Sequence, residues 1–103
     1  MAEIDTIRAI VFQEGRYWIA QCIEVDVAAQ GNNLDEAVER LEAALNYEAD
    51  YTRAKFGEVF KGIDPAPDRY QKMLENCSKS FVLSQTVHVE ADGHARVDLK
   101  LCA

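Results

Sequence analysis

RYWIAQCIEVDVAAQGNNLDEAVERLEAAL, residues 16–45, is the stretch whose reading decides the fold. Trp18, Ala20 and Cys22 alternate with Tyr17, Ile19 and Gln21, the period of two that sends neighbours to opposite faces of a sheet. Past Gln30-Gly31-Asn32 the period changes. Leu34, Ala37, Val38, Leu41, Ala44 and Leu45 follow the i, i+3, i+4, i+7 spacing of one helical face. A cap marks the change: Asn33 is placed to accept the N–H of Glu36, while Asp35 and Glu36 complement the positive helix end. The pattern predicts a strand, a short strand over residues 24–29 (EVDVAA), then a helix from Leu34 to about Phe56, with Gly57 as its stop.

Along that helix the core stripe continues through Ala49 and Phe56, and Glu36–Arg40 supports the exposed side at i, i+4. A second stripe of Tyr47, Tyr51 and Ala54 faces elsewhere.

Upstream, TIRAIVFQ (residues 6–13) reads as a first strand and Glu14-Gly15 as a tight turn. Two registers are open for this hairpin. A two-residue loop pairs Val11 with Trp18, and a three-residue loop pairs Val11 with Tyr17. In either, both faces are apolar, with Ile7, Ala9 and Val11 on one side and Ile10 and Phe12 on the other. One helix covers one face of a small sheet. The second face predicts a further element or another subunit, and a homodimer or larger assembly is expected.

Downstream, residues 58–67 (EVFKGIDPAP) form a connector punctuated by Gly62, Pro65 and Pro67, with Pro67 suited to the first turn of a helix. Residues 68–76 are that short helix, its apolar side made by Tyr70, Met73, Leu74 and Cys77. The C-terminal segment, residues 81–103, reads as a hairpin. Val87 and Val89 share a face with Ala95, Val97, Leu99 and Leu101 if Val87 pairs with Val97 and Val89 with Ala95, leaving Ala91-Asp92-Gly93 as the loop. The expected fold is one α+β domain over residues 1–103. Its parts are a β-β-β-α core (1–57), a connector with the short helix (58–80) and the hairpin (81–103), in a mixed sheet of about five strands.

Composition narrows the function classes. The chain has 103 residues, 49% of them apolar, enough for one core without staples. Eighteen acidic against 11 basic residues leave a net charge of −7, which repels phosphate backbones and, with no basic run, excludes duplex DNA as an expected partner. The same charge suits a basic protein partner. Three cysteines (Cys22, Cys77 and Cys102), with no metal-type spacing, fit a reduced intracellular protein; Cys22 reads as a small core residue and Cys102 as an exposed thiol. The N-terminus lacks a secretory pattern and no apolar run spans a membrane, so a cytoplasmic location is expected.

No residue set demands catalysis. His88 and His94 fall on the polar face of the hairpin, opposite Arg96 and Glu90, and read as solvated rather than metal-binding. Asp5, Glu24, Asp26, Asp35 and Glu36 invite a magnesium reading, yet Asp35 and Glu36 belong to the helix start. Glu24 and Asp26 on one strand face are more simply an acidic surface. Trp18 reads as core rather than partner anchor. No GxSxG or glycine-rich phosphate loop is present. Neither a metal nor a cofactor is expected. The partner-binding candidates are Glu24, Asp26, Tyr47 and Tyr51.

The run Ile10-Val11-Phe12-Gln13-Glu14-Gly15-Arg16-Tyr17-Trp18-Ile19-Ala20-Gln21-Cys22, followed by Gln30-Gly31-Asn32-Asn33-Leu34-Asp35-Glu36-Ala37, resembles the HicB-like antitoxin family. The shared features are an aromatic-x-apolar strand after a Gly turn, a Q-G-polar-polar junction and an L-x-E-A helix start. The resemblance covers about the first half of the chain. It implies a partial ribonuclease-H-like sheet of three antiparallel strands, a helix, and a fourth strand beside the first. Members often carry Pro-Glu-Leu-Pro-Gly where this chain has Ile23-Glu24-Val25-Asp26-Val27, and usually continue into a DNA-binding segment that the second half here does not resemble. The function this implies is a non-enzymatic protein-binding module that neutralises a small basic RNA-cleaving toxin. The alternatives are a metal-dependent hydrolase or nuclease remnant using Glu24 and Asp26, and a small-ligand sensor with a pocket under the long helix.

Overall fold

Residues Thr6–Glu14 form a central strand, β1, with other strands on both of its edges. The computed structural model describes residues 6–77, 80–83, 87–89 and 95–102. The remaining elements are β2 (Tyr17–Cys22), β3 (Ala28–Gly31), α1 (Leu34–Phe56), α2 (Asp68–Glu75), β4 (Ser80–Val82), β5 (His88–Val89) and β6 (Ala95–Cys102). The sheet runs β3-β2-β1-β6-β4, with β5 also paired to β6, so β4 and β5 share the outer edge of one strand. It is mixed: β1 and β6 are parallel (Ile7↔Val97, Ala9↔Leu99) and every other pair is antiparallel. The α+β class follows directly.

One sheet face carries Ile7, Ala9, Val11, Ala20, Cys22 and Leu99, all buried, and α1 lies on it through Ala37, Val38, Leu41, Leu45 and Ala49. The helix begins as expected: Asn33 Oδ1 accepts the Glu36 N–H at 2.8 Å, and Glu36 reaches back to the Asn32 N–H at 3.1 Å. It ends at Gly57, whose φ of 80° is left-handed and whose N–H donates to the Arg53 carbonyl at 2.8 Å. Phe56 was expected in the core stripe but is 45% exposed. Thr52 takes that place: its hydroxyl donates to the Glu48 carbonyl at 2.7 Å and accepts the Phe60 N–H at 2.7 Å. Phe60, held at φ 65°, thereby turns its ring into the core from the connector.

The other face is the one that needed a second cover. Ile10 is fully buried there, and Phe12 meets Tyr70 of α2 with ring centroids 6.3 Å apart. Arg8, on the same face, donates to the Gln71 side chain at 2.9 Å. A Cys77–Cys102 disulfide then ties the segment after α2 to β6, with Cα atoms 5.8 Å apart. The expectation of three free thiols is therefore corrected; Cys22 is free and buried.

Two further expectations change. The first hairpin turns at Gly15-Arg16, pairing Glu14 with Tyr17 and Val11 with Ala20, so neither anticipated register occurs. Gly15 holds φ 61° at the first central position, the signature of a type II′ turn, whose twist suits the strands. The expected strand over residues 24–29 is present only from Ala28. Val25 and Val27 are buried in alternation, but the backbone before Ala28 bonds elsewhere: Asp26 N–H to Asp64 at 2.8 Å, and Ala66 N–H to Ile23 at 3.0 Å. In the C-terminal hairpin His88 pairs with Arg96 and Val89 with Ala95, the anticipated register. Its loop lies outside the described residues. Pro67 stands just before α2 as its N-cap rather than within its first turn.

Gly31 joins the two halves of the opening stretch. A Cβ there would lie 2.5 Å from the Ala37 amide nitrogen and 2.9 Å from the Glu36 carbonyl carbon, both backbone atoms that a rotamer change cannot move. Only glycine lets β3 end against the first turn of α1. Gly31→Ala is expected to lower stability by about 1–3 kcal/mol through overpacking, read as a fall in the urea midpoint with an unchanged slope.

Candidate functional site

The four partner-binding candidates separate onto opposite sides of the sheet. Glu24 lies on the α2 side and is engaged by Arg8: the Arg8 backbone N–H and Nε donate to its two oxygens, each at 2.6 Å. Arg8 also reaches Gln71, and Gln71 Nε2 reaches Glu75 at 3.3 Å. The carboxylate thus clips β1, the loop after β2 and α2 together. This is a positioning role, and both oxygens that a cation would need are already accepting. Asp26 is exposed, and its Oδ1 accepts from Gln21 Nε2 at 3.1 Å. The buried Gln21 amide also donates to the Cys22 carbonyl at 2.9 Å, so Asp26 orients a core amide at the point where β2 leaves the ladder.

Tyr47 and Tyr51 stand on the outer surface of α1. They are 68% and 45% exposed, one turn apart, with ring planes within 4° and centroids 6.4 Å apart. Lys55, one turn further, donates to the Tyr51 hydroxyl at 3.1 Å and lies 5.4 Å from the centroids of both Tyr51 and Phe56. At the other end of the same side, Arg40 pairs with Glu36 at 3.1 Å and donates to the Gln30 carbonyl of β3 at 2.9 Å. The first four turns of α1 also hold the densest charge in the chain. Asp35, Glu36, Glu39, Glu42, Glu48 and Asp50 face Arg40 as the sole cation of that stretch.

Among the described residues no group of three or more His, Cys, Asp or Glu side chains is arranged to hold a metal ion. His88 is described by its backbone alone, and His94 lies outside the described residues. Also among the described residues, no helix is long and apolar enough to cross a membrane. Sequence reasoning missed Arg8 as the partner of Glu24 and Gln71 as the partner of Arg8, since 16 and 63 residues separate Arg8 from the two. The alternation of Arg8 with Ile7 and Ala9 was the available signal, because it put a cation on the second face.

Burial beneath α1, with the Glu24 carboxylate nearby, pushes the Cys22 thiol from 9.0 up to about 12. A neutral buried thiol is a poor nucleophile. No protein-family model, no curated protein and no solved structure matches the chain.

The Cys22 shift has a definite sign in stability. Below about pH 9 the thiol is protonated in both states; between 9 and 12 only the unfolded chain releases its proton, so the unfolded state gains. The stability advantage of the parent over Cys22→Ala is expected to shrink as pH rises from 8 to 10.5, measured as the difference in urea midpoints. A constant difference would show that the thiol ionises equally in both states.

Proposed function

We propose that this chain is a non-enzymatic protein-binding domain of the HicB-like type, acting on a small basic protein. The observation that carries this reading is the acidic helix: six carboxylates against one guanidinium over residues 35–50, fixed on a rigid core through Leu41, Leu45 and Ala49. A rigid helix with an excess of carboxylates, six against Arg40, Arg53 and Lys55 over its whole length, steers a basic protein to one orientation and speeds encounter. The order β1-β2-β3-α1, with β6 beside β1, also agrees with the partial ribonuclease-H-like arrangement implied by the resemblance. Here the domain adds α2, β4 and β5. If the partner is like the family's RNA-cleaving toxin, α1 covers its basic RNA-binding surface. Asp26, exposed at the end of β2, adds a second acidic point on the far side.

The enzyme alternative needs Glu24 and Asp26 on one metal. The Arg8 clip on Glu24 and the Gln21 bond to Asp26 draw them to different partners, which favours the binding reading.

Co-expression with the product of the neighbouring gene is expected to yield a complex and to restore growth. Glu39→Lys with Glu42→Lys should slow association by about tenfold at low salt, with the difference closing near 0.5 M salt. Absence of any complex, together with a metal-dependent hydrolysis lost in Asp26→Asn, would replace this reading with the enzymatic one. Duplex DNA is expected to give no mobility shift that survives roughly 0.2 M salt and competitor.

A further inference from the structure

The Cys77–Cys102 bond joins two parts of the molecule that are held very differently. Cys102 lies on β6, which is fixed: it pairs with β1 from Thr6↔Arg96 to Val11↔Leu101 and buries Leu99 in the core. Cys77 follows α2, a helix with no fully buried side chain. Beyond Cys77, β4 is a strand of 3 residues on the outer edge of β6. Residues 76–79 alone separate α2 from β4, so neither can move far from the sheet without the other. Together they form a flap. Its other end is tied through the connector, where Asp64 accepts from the Asp26 N–H and the Ala66 N–H donates to Ile23.

We propose that Cys77 and Cys102 are a redox clasp on this flap. Oxidised, they lock α2 and β4 over the Ile10 and Phe12 face of β1. Reduced, they leave the flap free to open about the connector while α1 and the first three strands stay folded. The exchange partner is a small-molecule thiol and its disulfide, RSH and RSSR. In closing, the thiolate of one cysteine attacks RSSR, forms a mixed disulfide and releases RS⁻. The thiolate of the other then attacks the mixed bond, forms Cys77–Cys102 and releases the second RS⁻. The two protein thiols give up two electrons and two protons, and RSSR takes both to become two RSH. In opening, the same steps run backwards. Cys77 and Cys102 are half-buried, within reach of a small thiol, whereas Cys22 is buried beneath α1 and takes no part.

The remaining contacts decide what reduction does. Without the bond the flap keeps the Phe12–Tyr70 contact, the Arg8 bridge to Gln71 and the pairing of Ser80, Phe81 and Val82 with β6. A layer held this lightly opens at lower free energy than the core, and loss of the cross-link favours the open form further. The packing of α1 does not pass through the flap: Leu41, Leu45 and Ala49 share one buried cluster with Ile7, Ala9 and Ala20. Closure stays reversible. With the flap closed, the two cysteine Cα atoms are 5.8 Å apart, within bonding range. The Cys102 sulfur also lies 3.7 Å from the Met73 carbonyl in the last turn of α2, an acceptor for the reduced thiol. Opening bares Ile10, otherwise fully buried, together with Phe12. The clasp goes beyond the partner-binding reading and is independent of it, since both thiol states present the acidic flank of α1 alike.

Backbone hydrogen exchange on the oxidised and reduced chain, with no partner present, tests the clasp. On reduction the amides of α2 are expected to exchange at least about tenfold faster, and to be accelerated more than those of α1. In low urea the reduced α2 amides should exchange at a nearly constant rate, the mark of a local opening, while those of α1 keep the steep urea dependence of global unfolding. Cys77→Ser with Cys102→Ser needs no reductant and should reproduce the reduced pattern. In mixtures of reduced and oxidised glutathione, without denaturant, the pair should titrate between a dithiol and an intramolecular disulfide, counted by thiol alkylation and mass. Unchanged exchange in α2, or equal acceleration of α2 and α1 with one urea dependence, would each overturn the proposal. So would a double serine variant that fails to fold, a bond that about 10 mM reduced glutathione leaves intact, or glutathione adducts that never resolve to Cys77–Cys102.

Discussion

The rest of the structure depends on β1 having two apolar faces. Ile7, Ala9 and Val11 point one way and Ile10 and Phe12 the other, and a strand of this kind is stable only with a layer on each side. The long helix α1 supplies the first layer. The second needs a helix that arrives late in the chain, and the connector delivers it by backbone bonds from residues 64 and 66 to residues 26 and 23. Glu24 belongs to that delivery. Its grip on Arg8 and, through Arg8, on Gln71 fastens α2 over the face that β1 alone would leave open.

Features set by neighbours in the chain were legible in the sequence. The Asn33 cap, the Gly57 stop, the Glu36–Arg40 pair and the register of Val89 with Ala95 depend on residues a few positions apart. The first hairpin shows where such reasoning stops. The two-residue reading and the observed turn differ by a slide of two residues, which keeps Trp18, Ala20 and Cys22 on the face of Ile7, Ala9 and Val11. Periodicity constrains the face and is silent on an even slide. Gly15 decides it by preferring the first central position of a type II′ turn.

The segment from Ile23 to Val27 teaches a related point. Val25 and Val27 alternate with Glu24 and Asp26 as a strand should, and their burial obeys the alternation. The backbone beside them nevertheless bonds to the connector at Ile23 and Asp26, Val27 N–H donates to the Val25 carbonyl, and the Val27 carbonyl accepts from Cys22 N–H of β2. Alternation reports which side chains meet the core. Which strand accepts the hydrogen bonds is a tertiary outcome. The candidate site failed to be legible for the same reason: Glu24 reads as a free carboxylate until Arg8, 16 residues earlier, is brought beside it.

The two covering layers differ in how firmly they are held. α1 buries six side chains, from Ala37 to Thr52, whereas α2 buries none fully and rests on half-buried contacts through Tyr70, Met73 and Leu74. A layer with few buried contacts opens at lower free energy than the core. The Cys77–Cys102 link compensates by closing a loop of 25 residues, a constraint on the order of 3–4 kcal/mol against the unfolded chain. Apart from this link, α2 is held by the Phe12–Tyr70 contact, the Arg8 bridge to Gln71 and the connector's bonds to Asp26 and Ile23, whereas the packing of α1 on the first three strands does not pass through the disulfide. The acidic and tyrosine flanks of α1 therefore stand on the part of the molecule that a change in thiol state leaves undisturbed. A surface that must present one geometry to a partner is better carried there than on the layer that the disulfide has to fasten.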